Sequence, residues 1–151
     1  MIRPAALAAL ALAALLQCRK PTIPTAEAAV GEIRITDAFA YAPITEESGA
    51  AYLTLRNTGA EPDTLAAVSS PIAAAAGVHG SMTAGGGSMM TRIADLPIPP
   101  GGQVTLKPGG AHLMLERLSR LPKPGDSIPL TLNFRRAGAV TIELPVRPYG
   151  Q

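Results

Sequence analysis

The chain has 151 residues, with 13 basic and 11 acidic side chains, few aromatics, no tryptophan and one cysteine, enough for one domain plus whatever is removed from its ends. Three of the basic residues (Arg3, Arg19 and Lys20) and one of the acidic ones (Glu27) precede residue 29, which leaves ten of each; no basic stripe argues for nucleic acid and no polyanionic partner is implied. Because Cys18 is the only cysteine, the folded part of the chain has neither a disulfide nor a thiolate to offer a metal.

The first element in chain order is a leader. Arg3 makes a positive start, and Ala5 to Leu16 is an apolar run of twelve residues. That is too short to span a bilayer as a helix, which needs ~20 residues, and it suits a secretory signal. Two processing points compete. Ala26-Glu27-Ala28 fits a small-x-small cleavage site, giving a signal peptide of residues 1–28 and a domain of residues 29–151 whose fold begins near Val30. Leu15-Leu16-Gln17-Cys18 resembles a lipoprotein box, with Gln17 where a small residue belongs; it would end the signal before Cys18 and tie the chain to a membrane by lipid on that cysteine. Release as a soluble protein is the expected outcome, and a membrane enters only if Cys18 is lipidated.

Beyond the leader the chain reads as short strands punctuated by Gly and Pro. Glu32 to Thr36 alternates around Ile33 and Ile35, and Gly49 to Asn57 sets Ala51, Leu53 and Leu55 against Tyr52, Thr54 and Arg56. Asn57-Thr58-Gly59 ends that strand as a turn. Thr64 to Val68, Gly77 to His79 with the alanines before it, Met89 to Leu96, Gln103 to Leu106, Ala111 to Leu118, Ile128 to Phe134 and Val140 to Val146 follow, making nine expected strands. Pro71 and Gly77 leave no room for a helix over Ala73 to Ala76. Pro97 to Gly102 has too many fixed angles and missing donors for sheet interior, and Lys107-Pro108-Gly109-Gly110 reads as a turn delivering Ala111 into its strand. Thr83 to Ser88, with three consecutive glycines, is expected to be a flexible loop. Arg117 with Arg120 and the pair Arg135-Arg136 are read as solvated strand ends. Such a pattern predicts an all-β fold, an antiparallel sandwich or barrel of short strands with a core of Leu, Val, Ile and Ala.

The chemistry concentrates between His79 and Met114. These 36 positions contain both histidines of the chain and every methionine except the initiator. Ten residues separate His79 from Met90, another twenty-one lead to His112, and Leu113 alone separates His112 from Met114. Thioether and neutral imidazole select Cu(I) or another soft ion, whereas Ca²⁺ or Mg²⁺ would require the clustered carboxylates that this stretch lacks. Strand periodicity places His112 and Met114 on one face, opposite Leu113 and Leu115. A hairpin around the glycine-rich segment would bring His79 and Met90 level. Met89 would then point to the other face and pack, while Met82 is a spare sulfur near His79. Taken singly, a histidine in a β protein is usually a surface or hydrogen-bonded residue and a methionine is usually core filler; their gathering carries the reading.

The spacing resembles the signature of the PCu(A)C family of periplasmic copper chaperones: a His, ten residues, a Met, twenty-one residues, then His-x-Met. His79, Met90, His112 and Met114 stand at those four places, with Gly80 where the family often has Met. The likeness extends from about Ile33 to Val146 through AAYLTLRNTG, LPIPPGGQVTLKPGGAHLMLERL and LTLNF. It implies a cupredoxin-like Greek-key β-barrel or sandwich, a carrier rather than an enzyme, that binds Cu(I) through those four residues in the periplasm. It also implies delivery to an apo copper-acceptor protein, typically a cytochrome oxidase subunit, by a monomer.

Other chemistry has little support in the residues. A blue-copper electron-transfer centre needs a Cys thiolate, and no P-loop, dinucleotide fingerprint or nucleophile elbow is present. The rival readings are a copper-storage or resistance protein without a dedicated client, a copper-dependent redox enzyme, and a structural β domain without metal.

Overall fold

A computed structural model describes residues 24–84 and 87–150, the side chains of 81–88 excepted. The leader and the box around Cys18 lie outside the described residues, as does the side chain of Met82. Eleven strands make up the body: β1 (Ala26–Val30), β2 (Ile33–Tyr41), β3 (Ser48–Asn57), β4 (Asp63–Ser69), β5 (Ala73–Ala84), β6 (Gly87–Ile93), β7 (Leu96–Ile98), β8 (Gln103–Leu106), β9 (His112–Leu118), β10 (Ser127–Phe134) and β11 (Gly138–Arg147). There is no helix among the described residues, and so none long and apolar enough to cross a membrane. The neighbour order is β6-β5-β9-β3-β2-β11-β10-β4-β7, with β1 added to β2 and β8 to β3. All pairings are antiparallel except β2 with β11, which joins the two layers through Ala40↔Val146 and Tyr41↔Arg147. The expected all-β, cupredoxin-like barrel or sandwich is the fold that forms.

Alternation builds the core. Ile128, Leu130, Leu132 and Phe134 face inward from β10, and Ile142, Leu144 and Val146 from β11. The largest fully buried side chains are all Leu or Ile, each contributing about 1.5–3 kcal/mol of transfer free energy.

The structure adds strand where the sequence pattern breaks. Alternation in β2 fails after Ile35, yet the strand continues to Tyr41 because Asp37, at a left-handed φ of 54°, shifts the register. That bulge puts Ala38 and Ala40 in the core. β7 lies inside the proline-rich segment as a three-residue edge strand, with Pro97 opposite Thr64. β1 begins three residues ahead of residue 29 and pairs with β2. The buried Arg147 guanidinium reaches back to this end of the chain: its Nε and Nη2 donate to the Pro24 carbonyl at 2.9 and 2.7 Å, and it lies 3.8 Å from the centre of the Phe39 ring. The charged strand ends are solvated, with Arg135 paired to Asp95 at 2.7 Å and Arg120 to Asp126 at 3.7 Å.

Candidate metal centre

β9 is the central element of the site. Its Leu113, Leu115 and Leu118 are buried, while His112, Met114 and Glu116 stand half-buried on the outer face. Alternation alone would turn Leu118 outward; Arg117, at a φ of 50°, shifts the phase and returns it to the core. The turn before β9 forms as expected. Lys107 N–H donates to the Ala111 carbonyl at 2.9 Å, Gly110 N–H donates to the Lys107 carbonyl at 3.0 Å, and Gly109 takes the positive φ, 78°, that glycine permits.

This turn also orients a histidine. His112 Nδ1 lies 3.0 Å from the Gly110 carbonyl, so in the neutral ring Nδ1 carries the proton and Nε2 keeps its lone pair for a metal. Tyr52 stands on the neighbouring strand with its ring 6.5 Å from that of His112. Burial, and then the nearby Tyr41 and Tyr149, raise the Tyr52 phenol above its ordinary 10.0, so at neutral pH it offers no phenolate.

The register brings the histidines together. His79 on β5 is directly opposite His112, with ring centres 6.4 Å apart and planes inclined at 31°. One step along the same face, Met114 is opposite Gly77. Met90, on β6, is opposite Ser81 rather than His79, whose partner is Arg92. His79 and Met90 are therefore offset by two residues instead of level, though both belong to the same face. His112 and Met114 line a cleft of about 210 Å³ walled by Tyr41, Pro43, Ile44 and Tyr149. His79 and Met90 stand beside it, toward the sheet edge.

The glycine-rich segment differs from the loop expected. Pairing continues through Thr83↔Ser88 and Ala84↔Gly87, so β5 and β6 form a long hairpin whose turn residues, 85 and 86, lie outside the described residues. Pairing of β5 with β9 ends at His79, leaving the outer part of the hairpin beyond β9. There the inward face has no core to cover it, and Met89, expected to pack, is 65% exposed; Met90 is 54% exposed. Gly80, where relatives of this pattern often carry Met, is buried with Ile93 Cδ1 3.0 Å from where a Cβ would sit. A side chain there would point away from the face that holds His79.

Two charged groups border the face that the sequence reading did not single out. Arg92 reaches across Gly77, donating to the Ala76 carbonyl at 3.1 Å, in space that a side chain at Gly77 would occupy. Glu116 Oε1 lies 3.8 Å from His79 Nε2. The signal for Glu116 was its place two residues beyond Met114, where strand period puts it on the face of His112 and Met114. For Arg92 no sequence signal existed, since its position depends on the β5–β6 register.

Comparisons with known proteins give the chain relatives. Residues 33–146 match the family described as "Putative lipoprotein LpqE-like". A protein of Leifsonia xyli subsp. xyli, Lxx21020, likewise described as a lipoprotein, is 29% identical over 101 residues, covering 66% of this chain and 61% of that protein, less than two thirds of the relative's length. Among solved structures, the copper-bound PCuAC domain from PmoF2 is 31% identical with a TM-score of 0.70, covering 82% of this chain and 98% of that domain. The Cu(I) form of DR1885 from Deinococcus radiodurans is 27% identical with a TM-score of 0.61, covering 83% of each.

Proposed function

The chain belongs to the LpqE-like family and its domain is of the PCuAC kind, and from that premise we propose that it carries Cu(I) on His79, Met90, His112 and Met114 and delivers it to an acceptor protein outside the cytoplasm. The observation that supports this most is the cross-strand pair His79 and His112 with Met114 next on the same face. Two imidazoles and thioether sulfurs suit a soft monovalent ion. Four neutral donors leave the ion its charge, and the open cleft beside His112 and Met114 lets an incoming ligand displace them one at a time. Such a site holds its ion by exchange, as a carrier requires, and turns over no substrate of its own. Copper-bound and Cu(I)-bound structures exist for the relatives PmoF2 and DR1885.

The test is Cu(I) titration against a competing chelator, on wild type and on the double variant His112→Ala, Met114→Ala. One tight equivalent is expected for wild type and a large loss in the variant; an unchanged variant would refute the ligand set. Delivery to the copper centre of a cytochrome oxidase is the client reading. Equilibrating the Cu(I)-loaded protein with an apo-oxidase fragment separates it from storage without a client, because a store would transfer nothing.

The leader directs export to the periplasmic side, and processing ahead of Cys18 fits the fold better than a cut after Ala28. The latter would remove three residues of β1 and the Pro24 carbonyl that holds Arg147. We therefore favour a lipid-anchored form, in keeping with the lipoprotein description of the family.

A further inference from the structure

We propose that the same face also holds Cu(II), with Glu116 replacing methionine sulfur beside His79 and His112, so that the oxidation state of the ion selects its third donor. This rests on the copper reading above and extends it to a residue outside the four-ligand set.

The geometry carries the argument. At 3.8 Å, Glu116 Oε1 and His79 Nε2 are too far apart for a hydrogen bond. They are at a fitting distance for two donors of one ion: with bonds of about 2.0–2.2 Å, as divalent first-row ions make to nitrogen and oxygen, the donors lie about 2.8 Å apart at a right angle and about 4.2 Å apart when opposed. The side chains are 14% and 33% exposed, so the pair is partly withdrawn from water. Across from Glu116 stand Ala75 on β5 and Ser48 on β3, neither charged. Among the described residues His79 is the only basic side chain within 4 Å of the carboxylate. A half-buried carboxylate without a fixed cation gains from a divalent ion.

His112 supplies the third donor. Two rings bound to one ion through nitrogens at about 2.0–2.1 Å have centres at most about 6.4 Å apart; the observed separation of 6.4 Å stands at that limit, so the rings must draw closer for any but an opposed arrangement. No three His, Cys, Asp or Glu side chains already surround one point among the described residues, so binding requires both rings and the carboxylate to rotate toward a common point. Cu(II) prefers nitrogen and oxygen donors in a tetragonal arrangement, whereas Cu(I) prefers sulfur. His79 and His112 serve both ions; Met114 and Glu116, neighbours on one strand face, serve one each.

The experiment titrates the protein separately with Cu(I) and Cu(II) at fixed pH, each against a competing chelator. It records the electron paramagnetic resonance spectrum of the Cu(II) form and compares wild type with Glu116→Gln and Met114→Leu, thermal melts confirming that each variant folds. The expected result is that Glu116→Gln weakens Cu(II) binding by about tenfold or more, the scale on which donor-shell changes act, and alters the spectrum, while Cu(I) affinity holds. Met114→Leu should do the reverse. The proposal is overturned if Glu116→Gln leaves Cu(II) affinity and spectrum unchanged, or if it weakens both ions equally, which would make Glu116 a positioning residue for His79. A wild type that takes Cu(I) but not Cu(II) also overturns it while leaving the carrier reading intact. A wild type that takes neither ion refutes both.

Discussion

At the residue scale, Gly80 marks how this chain departs from the pattern it resembles. A side chain at 80 meets Ile93 on the inward face rather than His79's face. Gly80→Met is therefore expected to leave Cu(I) affinity unchanged and to lower stability by about 1–3 kcal/mol through overpacking, which chelator competition and denaturant melts would read. Asp63 is a second informative residue. Burial pushes its carboxyl up, but the backbone N–H groups of Arg136, Thr64 and Ala137 and the nearby Arg136 charge together hold it below its ordinary 3.8. A depressed folded value means that its contribution is complete above 3.8 and is lost as pH falls through the lower folded value. Melts below about pH 4 should show that decline for wild type, and Asp63→Asn should flatten it while costing about 1–3 kcal/mol at neutral pH through donors left poorly paired.

At the element scale, β1 and the β5–β6 hairpin sit at the margins of the sheet and do different work. β1 pairs with β2 through Ala28↔Ile35, Ala29↔Arg34 and Val30↔Ile33 and carries the chain back to Pro24, the acceptor for Arg147. A chain that starts at Ala29 loses the Arg147 anchor and exposes a buried guanidinium. Its Tm is expected to fall by at least about 5 °C relative to one that starts at Arg19, since 1 kcal/mol moves Tm by about 4–8 °C in domains of about 60–100 residues and about 2–4 °C in domains of about 150–250. Equal melting of the two would make β1 dispensable. The hairpin, by contrast, extends beyond β9 and exposes Met89 and Met90, so its outer part adds little to the core.

At the scale of the whole molecule, stability rests on one aliphatic core with no disulfide in the domain and no buried side-chain polar atom left unpaired among the described residues. A cargo that binds only the folded state must then add to that stability by mass action, about 2.7 kcal/mol at a free concentration one hundred times Kd. Cu(I) loading is expected to raise Tm for wild type and to leave the His112→Ala, Met114→Ala variant unmoved, as scanning calorimetry under reducing conditions would show.

How far each scale was legible depended on what local pattern can encode. Alternation exposed most strands and the shared face of His112 and Met114, because side-chain direction in a strand follows from spacing alone. It stopped at Asp37 and Arg117, where left-handed residues shift the phase, and it missed β1, a short alanine-rich edge strand without alternation of residue type, and β7, whose partner β4 is distant in the chain. The sequence by itself determined which side-chain types gather between His79 and Met114, their spacing and the all-β body, because composition and period two are local properties. Only the tertiary structure decided that His79 faces His112, that Met90 is offset by two residues, and that Arg92 and Glu116 border the face. Those facts depend on register, and register is set by hydrogen bonding and packing between strands rather than by the number of residues that separate them.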